Sequence, residues 1–150
     1  MTDVHQELNI HVMQMMSDIQ KTVFLKVLLF ASKIDGRVDD EEIKYIKKMA
    51  VKYHVENVKK IFEPATKESL FEELECILRR RWKLELIKEL FRLAHADDDL
   101  GKEELAFIDE VSDKMGIEKE KTEQISNWIV DFMVWKEQGK IIFEENGKWQ

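Results

Sequence analysis

The feature that most constrains the fold is an internal repeat. Residues 24–55, "FLKVLLFASKIDGRVDDEEIKYIKKMAVKYHV", align without gaps with residues 86–117, "LIKELFRLAHADDDLGKEELAFIDEVSDKMGI", at an offset of 62 residues. Identical residues stand at equivalent positions in the two copies: Lys26 and Lys88, Leu28 and Leu90, Asp35 and Asp97, Glu41 and Glu103, Glu42 and Glu104, Ile46 and Ile108, and Lys52 and Lys114. Each copy predicts a helix, an acidic turn and a second helix, and such a unit leaves one apolar face uncovered. Because two copies can cover each other, the repeat predicts a duplicated domain.

Apolar spacing indicates helices along nearly the whole chain. Ile43, Ile46, Met49, Ala50 and Tyr53 recur at intervals of three and four residues, and no stretch alternates with period two. One proline and five glycines leave few positions that force a turn. We therefore predict an all-α fold, a compact bundle of about seven to eight helices built from two pseudo-twofold-related helix-turn-helix repeats. The predicted helices cover residues 4–16, 18–34, 40–54, 57–62, 67–79, 82–96, 102–115 and 119–137.

The predicted organisation is a single domain over residues 1–150. Repeat 1 covers about 18–55, repeat 2 covers about 82–117, and 138–150 form a C-terminal tail. We expect the tail to be irregular and to dock Ile141, Ile142 or Phe143 on the bundle. Local signals mark two helix ends. Ser17 and Gln20 have the spacing of a capping box, and Gly116 stands where a helix-ending residue with positive φ belongs.

Composition and charge narrow the function classes. The net charge of −7 opposes general nucleic-acid binding, which needs a positive surface to displace counterions from phosphates. The longest apolar stretch, residues 23–31, contains Lys26 and is too short to span a bilayer. Cys76 is the single cysteine, so no intrachain disulfide forms and a reducing compartment is expected. We predict a cytoplasmic protein without membrane insertion or nucleic-acid partner, and leave a protein partner and the oligomeric state open.

The two acidic turns, residues 35–42 and 97–104, are the candidate functional site. Capping explains part of them, because Asp39 can act as N-cap and Glu42 as its capping-box partner. Capping does not explain Asp35 or Asp97, each of which precedes a glutamate by seven residues across a turn. Oxygen ligands of this kind suit Ca²⁺, Mg²⁺ or Mn²⁺, although the spacing does not match an EF-hand. The hypothesised cation ligands are the carboxylates of both turns: Asp35, Asp39, Glu42, Asp97, Asp99 and Glu104.

The turn "KIDGRVDDEE" and the segment "HADDDLGKEELAFIDEVSDKMGI" together resemble the tellurite-resistance TerB family over roughly residues 20 to 135. The sequence departs from the family pattern at Ile34, Asp98 and Gly101, where the family tends to have alanine, glycine and a capping residue. The resemblance implies an all-helical domain of two pseudo-twofold-related halves, with paired acidic residues proposed to bind metal. It also implies a place in metal resistance or stress response, or a role as an interaction module of multidomain proteins.

Other chemistry has little support in the sequence. We predict no enzyme activity, no catalytic residues and no organic cofactor, because no triad, phosphate-binding glycine loop or zinc spacing is present. Met13, Met15 and Met16 are interpreted as gap-fillers on a docking face. Two function hypotheses remain. The first is a binder of a divalent cation, and the second is a protein-interaction module that uses its acidic face or its apolar N-terminal helix.

Overall fold

The computed structural model describes residues 11–34, 36, 40–96 and 101–144. Within these residues the chain forms six α-helices, three short 3-10 turns and no strand, which confirms the predicted all-α class. The α-helices are α1 Asp18–Ser32, α2 Asp40–Lys52, α3 Lys67–Glu73, α4 Arg80–Ala96, α5 Lys102–Lys114 and α6 Lys119–Phe143. The 3-10 turns are Val12–Met15, Val58–Phe62 and Leu74–Cys76.

Side-chain caps define where α1 and α3 begin. Ser17 and Gln20 form the predicted capping box: the Ser17 N–H donates to Gln20 Oε1 at 2.8 Å, and the Gln20 N–H donates to Ser17 Oγ at 3.2 Å. Thr66 and Ser69 make the same reciprocal pair at the start of α3. Each pair satisfies two backbone N–H groups that have no partner inside the helix, which places the first turn of both helices.

The repeat is visible in the helix boundaries. The offset of 62 residues carries the first and last residues of α2, Asp40 and Lys52, onto those of α5, Lys102 and Lys114. The same offset carries Asp18, the first residue of α1, onto Arg80, the first residue of α4. Equivalent sequence positions therefore start equivalent helices in both halves.

The two helix pairs also end alike. After α5, the Ile117 N–H donates to the Ser112 carbonyl at 3.0 Å, and Gly116 has a φ of 73°. After α2, the Val55 N–H donates to the Ala50 carbonyl at 2.9 Å, and His54 has a φ of 58°. Both ends are Schellman caps, one with the predicted glycine and one with a histidine in the left-handed conformation.

Helix α1 is the centre of the bundle. It contacts α2, α3, α4 and α5, and it carries buried residues on most of its circumference: Thr22, Val23, Phe24, Leu25, Val27, Leu28, Leu29 and Ala31. A helix that is apolar all round must be covered on all sides, and its neighbours provide that cover. The repeat predicts burial of Leu28, Ile43 and Ile46 and of their counterparts Leu90, Leu105 and Ile108. Leu28, Ile46, Leu90 and Ile108 are at most 1% exposed, whereas Ile43 and Leu105 are only partly buried, so the prediction is wrong for that pair.

The C-terminal prediction was wrong. Helix α6 continues through residue 143, so residues 138–143 are helical rather than an irregular tail. Ile141, Ile142 and Phe143 are 77%, 68% and 72% exposed, so they do not dock on the bundle. Apolar residues on a helix that extends past its neighbours stay exposed, so their apolar character does not imply docking on the bundle. Residues 145–150 lie outside the described residues.

Replacing Gly101 should stabilise the protein. Gly101 is the N-cap of α5 with a φ of −74°, it makes no side-chain cap, and a Cβ added there meets no atom of the described residues within 4 Å. Gly101→Ser supplies a capping oxygen and reduces the entropy of the unfolded chain, so the free energy of unfolding should rise by roughly 0.5–1 kcal/mol. The matched control is Gly116→Ser, which forces serine to a φ of 73° and should lower stability. Urea unfolding measures both, and an unchanged or lowered value for Gly101→Ser contradicts the prediction.

Truncation of the repeated core positions should be costly in both halves. Ile46→Ala and Ile108→Ala each remove a side chain that is at most 1% exposed, so each should lower the free energy of unfolding by about 2–5 kcal/mol. Ile43→Ala and Leu105→Ala serve as matched controls and should cost less, because both side chains are only partly buried. Chemical denaturation of the four variants tests this, and a loss under about 1 kcal/mol at Ile46 or Ile108 is the contrary result.

Candidate functional site

The carboxylates of Glu42 and Glu104 line one cavity between the two repeats. Glu42 is the third residue of α2, and Glu104 is the third residue of α5, so the 62-residue offset relates them. The remaining lining is almost entirely apolar and comes from α1, α4 and α5: Ala31, Ser32, Leu90, Leu93, Ala94 and Ile108. We call this space the glutamate cavity. Its volume is about 10 Å³, near the minimum that one water molecule needs.

The setting of these two glutamates determines what they can do chemically. Glu104 is 8% exposed and Glu42 is partly buried. Each lies in the first turn of a helix, where the backbone N–H groups and the helix dipole favour a negative charge. Two carboxylates around one small apolar cavity repel each other more strongly than they would in water. Positive charge beside the pair relieves that repulsion, whether a protein side chain or a bound cation supplies it.

The other hypothesised ligands lie outside the described residues. Asp35, Asp39, Asp97 and Asp99 belong to the parts of the acidic turns that the structure does not describe. Gly36, between them in the first turn, is described and has a φ of 78°, a conformation that favours glycine. The structure thus brings together the two glutamates of different turns. The pairing of Asp35 with Glu42, and of Asp97 with Glu104, stays a prediction.

A second polar cluster was missed by sequence reasoning. His11, Glu85 and Glu89 each place one potential ligand atom within 4.8 Å of the others. Their side chains are 14%, 11% and 6% exposed, so the cluster is largely buried. Glu85 and Glu89 are one turn apart on α4, but His11 reaches them from the N-terminal segment. Only the i, i+4 glutamate pair was visible in the sequence, because nothing in it connects His11 to α4.

The carboxylates of Glu85 and Glu89 already have partners within the protein, namely cationic side chains and a phenol hydroxyl. Lys88 Nζ lies 2.5 Å from Glu85 Oε2 and 3.8 Å from Glu89 Oε1. Arg92 donates to Glu89 Oε2 at 2.6 Å, and the Tyr45 hydroxyl donates to the same oxygen at 3.1 Å. Burial, followed by the Glu89 charge, raises the pKa of Tyr45, which keeps the phenol protonated as a donor. The cluster is therefore a buried ion network that joins α2 and α4, and a metal would have to displace Lys88.

The hydrogen bonding of His11 also opposes metal ligation. His11 Nδ1 accepts the Met13 N–H at 3.1 Å, so the proton of the neutral ring resides on Nε2. Nε2 lies 4.0 Å from Glu89 Oε1, and the ring packs against Phe24 and Tyr53. A metal on Nε2 would require Nδ1 to carry the proton, and the Met13 bond would then be lost. His11 is better explained as the residue that attaches the N-terminal segment to the core.

The single thiol is poorly suited to nucleophilic chemistry. Cys76 ends the 3-10 turn that precedes α4 and is partly buried, and burial raises the pKa of its thiol. The thiolate is the reactive form, so a raised pKa lowers reactivity at neutral pH. Its backbone carbonyl accepts Gln20 Nε2 at 3.0 Å, which links this turn to α1. The contacts of Cys76 are those of a structural residue.

Comparison with known proteins adds one match. A family model described as "Tellurite resistance protein TerB" matches residues 21–127, more than half of the chain and both acidic turns. No curated protein and no solved structure shows a significant match to the chain. The match excludes His11 and ends before Trp128. Among the helices that the structure describes, none has both the length and the apolar character needed to cross a bilayer.

The stability of the protein should fall in mildly acidic solution because of His11. Burial lowers the pKa of His11 below its ordinary 6.5, although Glu89 and Glu85 partly oppose this, so the unfolded chain binds the proton more readily. The stability contributed by neutral His11 is therefore present above about pH 6.5 and is lost as pH falls through the lowered folded-state pKa. Protonation of Nδ1 also removes the acceptor for the Met13 N–H.

Urea unfolding at neutral and at mildly acidic pH measures how the stability contributed by His11 changes with pH. His11→Asn keeps an oxygen that can accept the Met13 N–H but does not titrate, so its stability should change less between neutral and mildly acidic pH than that of the wild type. The matched control is His54→Asn, an exposed position at positive φ where asparagine is tolerated. Equal pH dependence in all three proteins is the result that contradicts this role.

Proposed function

Because the chain belongs to the TerB family, we propose that it is a small cation-binding protein of a metal-resistance or stress-response system. The proposed ligands are the carboxylates of the two acidic turns, and the proposed cation is Ca²⁺, Mg²⁺ or Mn²⁺. The family description names tellurite resistance, and that is the basis for placing the protein in such a system. Cation binding does not require the protein to have any enzyme activity.

The observation that carries the proposal is the convergence of Glu42 and Glu104. They come from helices that the sequence repeat makes equivalent, and both line the glutamate cavity. A single capped helix needs only one such glutamate, and that residue can stay at the surface. Two carboxylate residues that line one cavity supply the first oxygen ligands of a site for a hard cation. The duplicated arrangement is therefore better explained by ligand binding than by capping alone.

The proposed site needs ligands from both turns. The cavity has room for about one water molecule, so the two glutamates supply only part of a coordination shell. Hard cations take six or more oxygen ligands, and Asp35, Asp39, Asp97 and Asp99 are the proposed remaining donors, together with water. Gly36, with its φ of 78°, allows close backbone approach in the first turn. We expect weak binding, on the order of micromolar to millimolar, as in loosely built oxygen sites.

A second candidate function is protein interaction without a metal role. The expected docking surface was partly an apolar N-terminal helix, but the described part of that segment belongs to the core, with Met13 fully buried and Met16 5% exposed. Met15 is the one large apolar side chain that is exposed within the described residues 11–16. The large exposed apolar surface is instead on the C-terminal half of α6, including Trp128 and Trp135. That surface is the observation that favours the second function.

Cation binding should stabilise the folded protein in proportion to cation concentration. Thermal unfolding with increasing Ca²⁺, Mg²⁺ or Mn²⁺ should show a rise in Tm, because a ligand that binds only the folded state shifts the unfolding equilibrium. Glu42→Gln and Glu104→Gln should each reduce this rise, since each removes one charged ligand from the glutamate cavity. Calorimetric titration should likewise show weaker cation binding by Glu42→Gln and Glu104→Gln than by the wild type.

The matched control is Glu103→Gln, which removes the same charge from the same helix turn at an exposed position outside the cavity lining. It should bind the cation like the wild type. Equal shifts in Tm for all four proteins would mean general screening of negative charge rather than a site, and would leave interaction as the better function.

A further inference from the structure

Helix α6 carries a stripe of exposed apolar residues beyond its contact with the bundle. Ile129 is the last buried residue of α6, and the helix continues to Phe143. Large exposed apolar side chains occur from Trp128 onward: Trp128 at 61%, Phe132 at 47%, Trp135 at 69%, Ile142 at 68% and Phe143 at 72% exposure lie near one another on the helix, and Val130, Val134 and Ile141 are exposed on other sides of it. Contiguous apolar surface of this kind on a water-facing helix marks an interaction site. The family match ends at residue 127, so the surface is a feature outside the matched region.

The stripe has the spacing of a coiled-coil seam. Trp128, Phe132, Trp135, Gly139 and Ile142 follow one another at intervals of four, three, four and three residues. At 3.6 residues per turn these positions fall within an arc of about 80°, and Phe143 lies beside them. This alternation is the a/d pattern by which two helices pack along one side. We call these five positions the α6 stripe.

The α6 stripe faces a different direction from the side of α6 that packs on the bundle. The bundle side is marked by buried Thr122 and Ile129 and by the partly buried Ile125 and Met133. These four residues lie on average about 105° around the helix from the centre of the α6 stripe. Contact with the bundle therefore leaves the stripe uncovered by the described part of the chain.

The second half of α6 also lacks intrinsic support as a helix. Fourteen residues separate Ile129 from Phe143, about 21 Å of helix. Isolated helices of this length are marginal in water, and Gly139 in the interior weakens this one further. A Cβ added at Gly139 meets no atom within 4 Å, so nothing in the described protein requires glycine there. A partner packed on the stripe stabilises this half of the helix, and Gly139 then allows the partner to approach closely.

Charges beside the α6 stripe indicate which partner fits. With the stripe residues at positions a and d, Asp131 falls at g and Lys136 falls at the following e, five residues later. In a parallel two-stranded coiled coil, g of one helix faces the next e of the other. Asp131 of one chain therefore faces Lys136 of an identical chain, and twofold symmetry makes the pair twice. The surface is complementary to itself in charge.

A membrane surface fits less well. Helices that lie on anionic membranes are rich in Lys and Arg on the polar face. The second half of α6 balances Lys136 and Lys140 with Asp131 and Glu137, and the whole chain has a net charge of −7. No electrostatic attraction to an anionic surface results.

We propose that the α6 stripe is a homodimer interface in which α6 packs parallel to α6 of a second copy, with Trp128, Phe132, Trp135, Gly139 and Ile142 at the seam. The two copies are related by a twofold axis along the helix pair, so the interface is isologous and closed. The bundle side of each α6 points away from the seam, which leaves room for both domains. This inference does not depend on cation binding at the glutamate cavity.

Sedimentation equilibrium of the full chain over a concentration series tests the proposal. The wild type should show a reversible monomer-dimer equilibrium. Trp135→Glu places a carboxylate at the seam and should weaken association by about tenfold or more, because the charge must be desolvated. The matched control is Val134→Glu, one residue away, 50% exposed and outside the stripe. It should dimerise like the wild type. Circular dichroism melts verify that both variants remain folded.

A charge exchange tests the register and direction. Asp131→Lys and Lys136→Asp should each weaken the dimer, since each creates two like-charged contacts across the seam. The double variant restores opposite charges and should recover most of the wild-type association. Recovery supports the parallel arrangement, and further loss in the double variant overturns it.

Two outcomes overturn the proposal as a whole. The first is a wild type that stays monomeric at all concentrations. The second is a monomer that co-sediments with vesicles of phosphatidylcholine and phosphatidylserine through Trp135, which would make the stripe a membrane-binding surface. Both outcomes can be distinguished from failure of the proposed cation site, because neither measurement requires an added cation.

Discussion

The structure depends on the burial of α1. This helix is apolar on most of its circumference, and no single neighbour can cover it, so α2, α3, α4 and α5 all pack against it. One helix-turn-helix unit therefore cannot exclude water from its core, whereas two units can. Core positions in both units, such as Leu28 and Leu90, are at most 1% exposed. Burying each such side chain contributes about 1.5–3 kcal/mol relative to exposure. The same packing brings the starts of α2 and α5 to the glutamate cavity.

Local chemistry made much of the fold predictable from sequence. The capping box at Ser17, the glycine at 116 and the helical spacing of Ile46 and Ile108 depend on neighbours within a few residues, and all three are present. The end of α6 was mispredicted because apolar Ile141–Phe143 were assumed to require burial. A sequence does not show where the neighbouring helices stop. Whether these side chains are buried depends on that tertiary arrangement and not on their apolar character.

The candidate sites likewise combine features that the sequence shows with contacts that depend on tertiary packing. Glu42 and Glu104 could be singled out because the repeat placed them at equivalent positions in acidic turns. Their meeting in one cavity could not be predicted, since it depends on how α1, α4 and α5 pack around them. The contact of His11 with Glu89 joins residues far apart in sequence and has no periodic signal. Its interpretation also required the hydrogen bond to Nδ1, which separates a structural histidine from a metal ligand.

The length of α6 relative to its neighbour connects the fold to its two proposed surfaces. Helix α5 has 13 residues and α6 has 25. The proposed cation site uses the first turn of α5, inside the packed part of the bundle, whereas the stripe begins beside the last residues of α6 that pack on the bundle, Ile129 and Met133. A helix twice as long as its neighbour must either fray or find another partner, because intrinsic propensity supports only short stretches weakly. The seam spacing and the self-complementary charges favour the second outcome, so the proposed association and the proposed cation binding involve separate parts of this fold.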